Sequence, residues 1–94
     1  MNFERKTYYE DEDFRVYLEN INDQVFIHVA IFNAVKSSFN RIKEKWGEIV
    51  IKMYNLGYEE LFAYTKDSRV INMIGGAEKI GESQGYEVYK WDLR

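Results

Sequence analysis

Seven apolar residues, Val35, Phe39, Ile42, Trp46, Ile49, Met53 and Leu56, follow one another at steps of four and three without a break. No other stretch of the chain is as regular, and no strand can use that period. The spacing predicts one amphipathic helix over 35–56, with Lys36, Arg41, Lys43, Lys45 and Lys52 largely on its other faces. Such a helix needs an apolar surface to lie on, and the rest of the chain has to supply it. The same spacing describes a coiled-coil seam, but three heptads are short and Phe and Trp are bulky for one. Packing on the chain's own sheet is the expected use, and Val50, Ile51 and Tyr54 leave a second apolar side for a homo-oligomer contact.

The sheet is read from the flanking segments. Phe3, Thr7 and Tyr9 alternate as a short edge strand, and Glu10-Asp11-Glu12-Asp13 reads as a solvated turn or a contact for a cation or basic partner. Phe14, Val16 and Leu18 alternate with polar neighbours, a half-buried strand. Asn22-Asp23 is turn chemistry, and 25–32 is apolar on both faces, which predicts a hairpin whose second strand is central and covered on both sides. His28 on that strand reads as a buried, hydrogen-bonded neutral imidazole.

Asn33, Ser37 or Ser38 is the expected N-cap of the helix and Gly57 its left-handed C′ residue. Gly47 inside the helix points to a close backbone contact, and Glu48 and Lys52 stand four apart as an ion pair. A strand over 61–64 should return parallel to 25–32. Asp67 or Ser68 then caps a short helix that Gly75-Gly76 stops. Strands over 79–82 and 86–93 close the chain, Tyr86, Val88 and Lys90 facing one way and Glu87, Tyr89 and Trp91 the other. The expected order is β-β-α-β-α-β-β, with room for one more strand at the start: an α+β class with a central mixed sheet, in one domain over 1–94.

Composition bounds the function. Without Cys, disulfides and thiolate metal sites are excluded, and with one His a metal site would be carboxylate-dominated. A net charge of −3 implies no dedicated nucleic-acid surface. Arg41, Lys43, Lys45 and Lys52 are interrupted by Glu44 and Glu48, a solvated face more than a DNA contact. No apolar run approaches the roughly 20 residues of a membrane span, so a cytoplasmic setting is expected and a membrane partner is not. No Gly-x-Gly-x-x-Gly, Walker loop, zinc spacing or nucleophile elbow occurs.

One resemblance runs from about Val25 to Asp92. The phrases Asn55-Leu56-Gly57-Tyr58, Leu61-Phe62-Ala63-Tyr64-Thr65, Asp67-Ser68-Arg69-Val70-Ile71 and Ile74-Gly75-Gly76-Ala77-Glu78-Lys79-Ile80-Gly81 are similar to the second half of GNAT-type N-acetyltransferases. The resemblance implies a GNAT-like fold with 35–56 in the place of the cofactor-binding helix. The family's acetyl-CoA loop is rich in Gly, which lets backbone N–H groups approach a pyrophosphate. Here the equivalent stretch, from Phe32 to Phe39, has no Gly, and the family's general-acid Tyr falls near Ile71 or Asn72.

That loss resembles short GNAT-like proteins of tailed bacteriophages. It implies a non-catalytic phage or prophage protein working by protein contacts, as a virion or assembly component or an inhibitor of a host defence protein. It would act in the host cytoplasm or in the virion, without a cofactor. Tyr8, Tyr9, Tyr17, Tyr89 and Trp91 are the candidate contact residues, since interfaces favour Tyr and Trp. The alternative is a minimal acetyl-CoA-dependent N-acetyltransferase, with Lys36, Ser37 and Ser38 holding the cofactor and His28 or Glu19 as base.

Overall fold

The computed structural model describes residues 4–93. Its elements are β1 (Glu4–Glu10), β2 (Phe14–Ile21), β3 (Gln24–Ile31), α1 (Lys36–Asn55), β4 (Glu60–Thr65), α2 (Arg69–Ile74), β5 (Glu78–Ser83) and β6 (Tyr86–Asp92). The strands form one six-stranded mixed sheet in the order β1-β2-β3-β4-β6-β5, in which only β3 and β4 run parallel.

This overturns the expected GNAT-like α+β layout with its order β-β-α-β-α-β-β. Six strands carry only two helices, and more of the described chain is strand than helix. The reason lies at the start of the chain. β1 reads Glu-Arg-Lys-Thr-Tyr-Tyr-Glu and shows no clean alternation, because its register against β2 shifts between Thr7 and Tyr9. A bulge there lets consecutive residues reach the same side, and both Tyr8 and Tyr9 touch α1. Phe3, expected in this strand, lies outside the described residues.

Local chemistry sets the turns. Asn22 and Asp23 both take positive φ, 52° and 65°, so β2 and β3 close through a two-residue turn of the primed kind that matches strand twist. Gln84 and Gly85 do the same between β5 and β6. α1 ends in a Schellman motif: Gly57, at φ 94°, donates its N–H to Tyr54 O at 3.0 Å, and Tyr58 N–H reaches Met53 O at 3.1 Å.

The start of α1 differs from expectation. The N-cap is Val35, in extended conformation, and none of Asn33, Ser37 or Ser38 holds that place. Val35 has no side-chain acceptor, so the hydroxyl of Ser38, three residues on, ties the turn instead. It accepts the Val35 N–H at 3.2 Å and donates to the Val35 carbonyl at 2.5 Å. Asn33 is spent elsewhere, its amide donating to Asp13 at 3.1 Å.

One sheet face carries the core. Side chains alternate across a strand, so Phe14 and Val16, Val25 and Ile27, Leu61 and Ala63, and Tyr89 and Trp91 share a face and pack with Ile42, Ile49, Met53 and Ile71. Trp91 joins both helices to that face: its ring lies 4.5 Å from Trp46 of α1, and its indole N–H donates to Gly75 O, just after α2, at 2.9 Å. The stripe of α1 is buried at its middle and runs off the sheet at both ends, leaving Val35 and Leu56 exposed. β3 is central, but helices cover only one of its faces, contrary to the two-sided covering expected for 25–32.

Three smaller expectations are also corrected. A side chain at Gly47 would meet nothing within 4 Å, so no close backbone contact calls for that glycine. Glu48 pairs with Lys45 at 3.2 Å, while Lys52 lies over the Tyr8 ring. The acidic run is a built corner: Asp11 Oδ1 accepts the N–H groups of Asp13 and Phe14, and Arg41 of α1 bridges the carboxylates of Asp11 and Asp13.

Candidate functional site

The face of the sheet opposite the helices is aromatic. By strand alternation it carries Tyr17 of β2, Phe26 and His28 of β3, Phe62 and Tyr64 of β4, and Tyr86 of β6. The rings touch in sequence. Tyr17 stacks on His28 at 5.1 Å between centroids, His28 meets the edge of Tyr64 at 4.7 Å, and Tyr64 meets Tyr86 edge-on at 5.5 Å. Phe26 packs on Phe62 at 5.4 Å. Cations lie over the outer rings, Arg5 at 4.8 Å from Tyr17 and Lys66 at 4.9 Å from Tyr86.

Glu19 sits within this face and is buried, at 6 % exposure. A buried carboxylate is costly unless its lone pairs are filled, and here they are. Oε1 accepts the Tyr64 hydroxyl and Nε2–H of His28, both at 2.9 Å, and Oε2 accepts from Arg5 at 3.3 Å. Burial works to raise the Glu19 carboxyl, but the hydrogen bonds from Tyr64 and His28 and the charge of Arg5 outweigh it and hold the group below its ordinary value. The same carboxylate, added to burial, raises the Tyr64 phenol.

The state of His28 follows. Burial is the largest influence and pushes the imidazole below 6.5, with Glu19 pulling only partly the other way. The ring is therefore neutral at pH 7. An ionised carboxylate only accepts, so Nε2 carries the proton and Nδ1 keeps its lone pair. Chemically, the arrangement is an imidazole whose tautomer is held by a carboxylate, leaving one nitrogen as acceptor or base.

Two pockets adjoin the parallel strands. One of about 130 Å³ lies between β3 and β4, where Ile27–Val29 face Ala63–Thr65, and it is lined by His28, Tyr17 and Tyr64 among others. The other, of about 460 Å³, lies near the start of α1, between Ile31, Ala34 and Phe39 on one side and Thr65, Arg69 and Val70 on the other.

The residues picked from the sequence separate in space. Lys36 and Ser37 are exposed, while Ser38 is fully buried and engaged with Val35. Tyr89 and Trp91 are core residues, at 8 % and 5 % exposure. Tyr8 and Tyr9 are half-buried against α1, their hydroxyls donating to Glu48 at 3.0 Å and Asp11 at 2.9 Å. Tyr17 alone of the five contact candidates stands on the helix-free face. His28 and Glu19, read as alternative bases, are hydrogen-bonded to each other. Phe26, Phe62, Tyr64 and Tyr86 were not singled out. Their signal was the apolar character of both faces of β3, which reports an aromatic surface as readily as a second layer.

Among the described residues no group of three or more His, Asp or Glu is placed to hold a metal ion, and no helix is long and apolar enough to cross a membrane. Compared with models of protein families, with curated proteins and with solved structures, the chain matches none.

Proposed function

We propose that this protein is a non-catalytic module that works by holding another protein against the helix-free face of its sheet. The observation that carries the reading is the continuous aromatic face built from Tyr17, Phe26, His28, Phe62, Tyr64 and Tyr86. Protein interfaces are enriched in such rings, and Tyr and Trp dominate their binding energy. The partner's surface is acidic at its margin, matching Arg5, Arg15 and Lys66.

The sheet edges support contact through the face and not by strand addition. β5 is exposed along its whole length, yet its register breaks between Lys79 and Gly81 and it carries Glu78, Lys79 and Glu82. β1 is also bulged and charged. Bulges and charges blunt edges against pairing with another chain. The sequence likeness to short phage proteins supports a phage or prophage setting, as a virion or assembly component or an inhibitor of a host defence protein.

A photoreactive residue at position 17 or 86 tests this. It is expected to cross-link one discrete partner, with a yield that falls as salt rises, while the same group at position 51 on α1 does not. Equal capture from all three positions would overturn the reading.

A minimal acetyl-CoA-dependent N-acetyltransferase is the second reading, favoured by the imidazole that Glu19 holds in a basic tautomer. Calorimetric titration separates the two. Micromolar acetyl-CoA binding with acetyl transfer to an amine would displace the contact module, and no heat and no transfer would leave it standing.

A further inference from the structure

We propose that the pocket between β3 and β4 receives the phenol ring of a partner's tyrosine, whose hydroxyl donates a hydrogen bond to Nδ1 of His28. The inference rests on the contact reading above and names the group that the face anchors.

The size of the pocket is the first observation. At about 130 Å³ it is close to the space of one six-membered ring, since a cavity of about 150 Å³ holds benzene. The walls are the second. Tyr17 and Tyr64 contribute ring surface to the lining beside His28, and Val70, Ile71 and Trp91 contribute apolar surface, with Thr65 and Asp67 also present. A planar ring fits such walls better than a branched aliphatic group.

The polar requirement of the pocket is the third observation and selects the ligand's chemistry. The His28 side chain is nine-tenths buried, at 10 % exposure. Its Nε2 is committed to Glu19, and Nδ1 has no protein partner among the described residues. No fully buried side-chain nitrogen or oxygen there lacks a partner, so Nδ1 keeps access to open space. A donor satisfies it and an ether or a bare ring does not. Tyr64 cannot fill this role, because its hydroxyl is given to Glu19. A hydroxyl-bearing ring seated in a pocket amid near-neutral contacts is the usual form of an interface anchor.

The test reads the wild-type protein with three probes: the amides of N-acetyltyrosine, N-acetyl-O-methyltyrosine and N-acetylphenylalanine. Nitrogen-15 spectra of the imidazole report which ring nitrogen responds, and His28 is the chain's one histidine. The tyrosine amide is expected to shift Nδ1 saturably while Nε2 stays protonated. The other two are expected to bind at least tenfold more weakly. Equal binding of all three, or no shift of Nδ1 at accessible concentrations, overturns the proposal. Because the probes need no partner, that failure leaves the cross-linking test of the face untouched. A tyrosine-selective pocket with no cross-link from positions 17 and 86 would instead sink the contact reading and keep the site.

Discussion

Nε2 of His28 lies 2.9 Å from Oε1 of Glu19, on the neighbouring strand and diagonal to it in the β2–β3 register. The pair gives the helix-free face its polar centre. Everything chemical that this face can offer, the held tautomer, the free Nδ1 and the engaged Tyr64 phenol, depends on Glu19 staying ionised.

The first prediction concerns that pair. His28 is expected to titrate below 6.5 in the native protein, because burial disfavours its charged form more than Glu19 favours it. Glu19→Gln removes the negative charge and keeps the size, so the midpoint should move lower still. Proton NMR of the imidazole reads both. A midpoint that rises in Glu19→Gln would show that the carboxylate is not what supports the charged ring.

Acid stability follows from the same shifts. Glu19 and Asp11 are both held below their ordinary values. For Asp11, burial works against the shift and the N–H groups of Asp13 and Phe14, the Tyr9 hydroxyl and Arg41 outweigh it. A carboxyl lowered in the folded state contributes stability that is full above its unfolded value and lost as pH falls through the folded one. His28 acts in the same direction at higher pH. The unfolded chain takes up a proton first as pH drops through 6.5, so stability declines there too. Melting temperature should therefore fall in two stages on acidification, one below about pH 6.5 and one below about pH 4.5. Arg41→Ala should lower the melting temperature at neutral pH and weaken the acid stage that Asp11 supplies.

Helix α1 separates by face. Ile49 is fully buried and Ile51 is 64 % exposed, two residues away. Ile49→Ala should cost about 2–5 kcal/mol, and Ile51→Ala should stay within about 0.5 kcal/mol. Gly47 has open space where a Cβ would stand, so Gly47→Ala should stabilise by roughly 0.5–1 kcal/mol. Denaturant unfolding checks all three, and a destabilised Gly47→Ala would mean that the space beside the glycine is not open in the folded chain.

At the other end of the same helix, Ser38→Ala should cost about 1 kcal/mol, because the turn at Val35 has no other side chain to tie it. Ser37→Ala, one residue away on the surface, should be silent in the same unfolding measurement.

Much of the local structure was legible in the residues. The four-three spacing from Val35 to Leu56 marked α1 to within a residue at each end, Gly57 marked its stop, and Asn22-Asp23 marked the first hairpin turn. The alternation in 86–93 correctly put Tyr89 and Trp91 on the opposite side from Tyr86 and Val88. These are signals that a residue and its near neighbours carry alone, through helical period, strand period and φ preference.

What remained was settled by which elements meet. β1 was legible only as a short edge strand, because a bulge breaks its period, and its full length makes the sheet six-stranded. Tyr89 and Trp91 look like contact residues in isolation, yet both helices descend on their side of the sheet. The opposite side of β3 also carries apolar residues, Phe26 and Ala30, and receives no helix among the described residues, so packing decides which face is left outside. Glu19 and His28 stand nine positions apart with nothing in their spacing to pair them; strand register and the burial of both side chains make one hold the other. Periodicity is a property of a segment, whereas register, face and burial are properties of the assembled sheet, and the candidate site consists of those three.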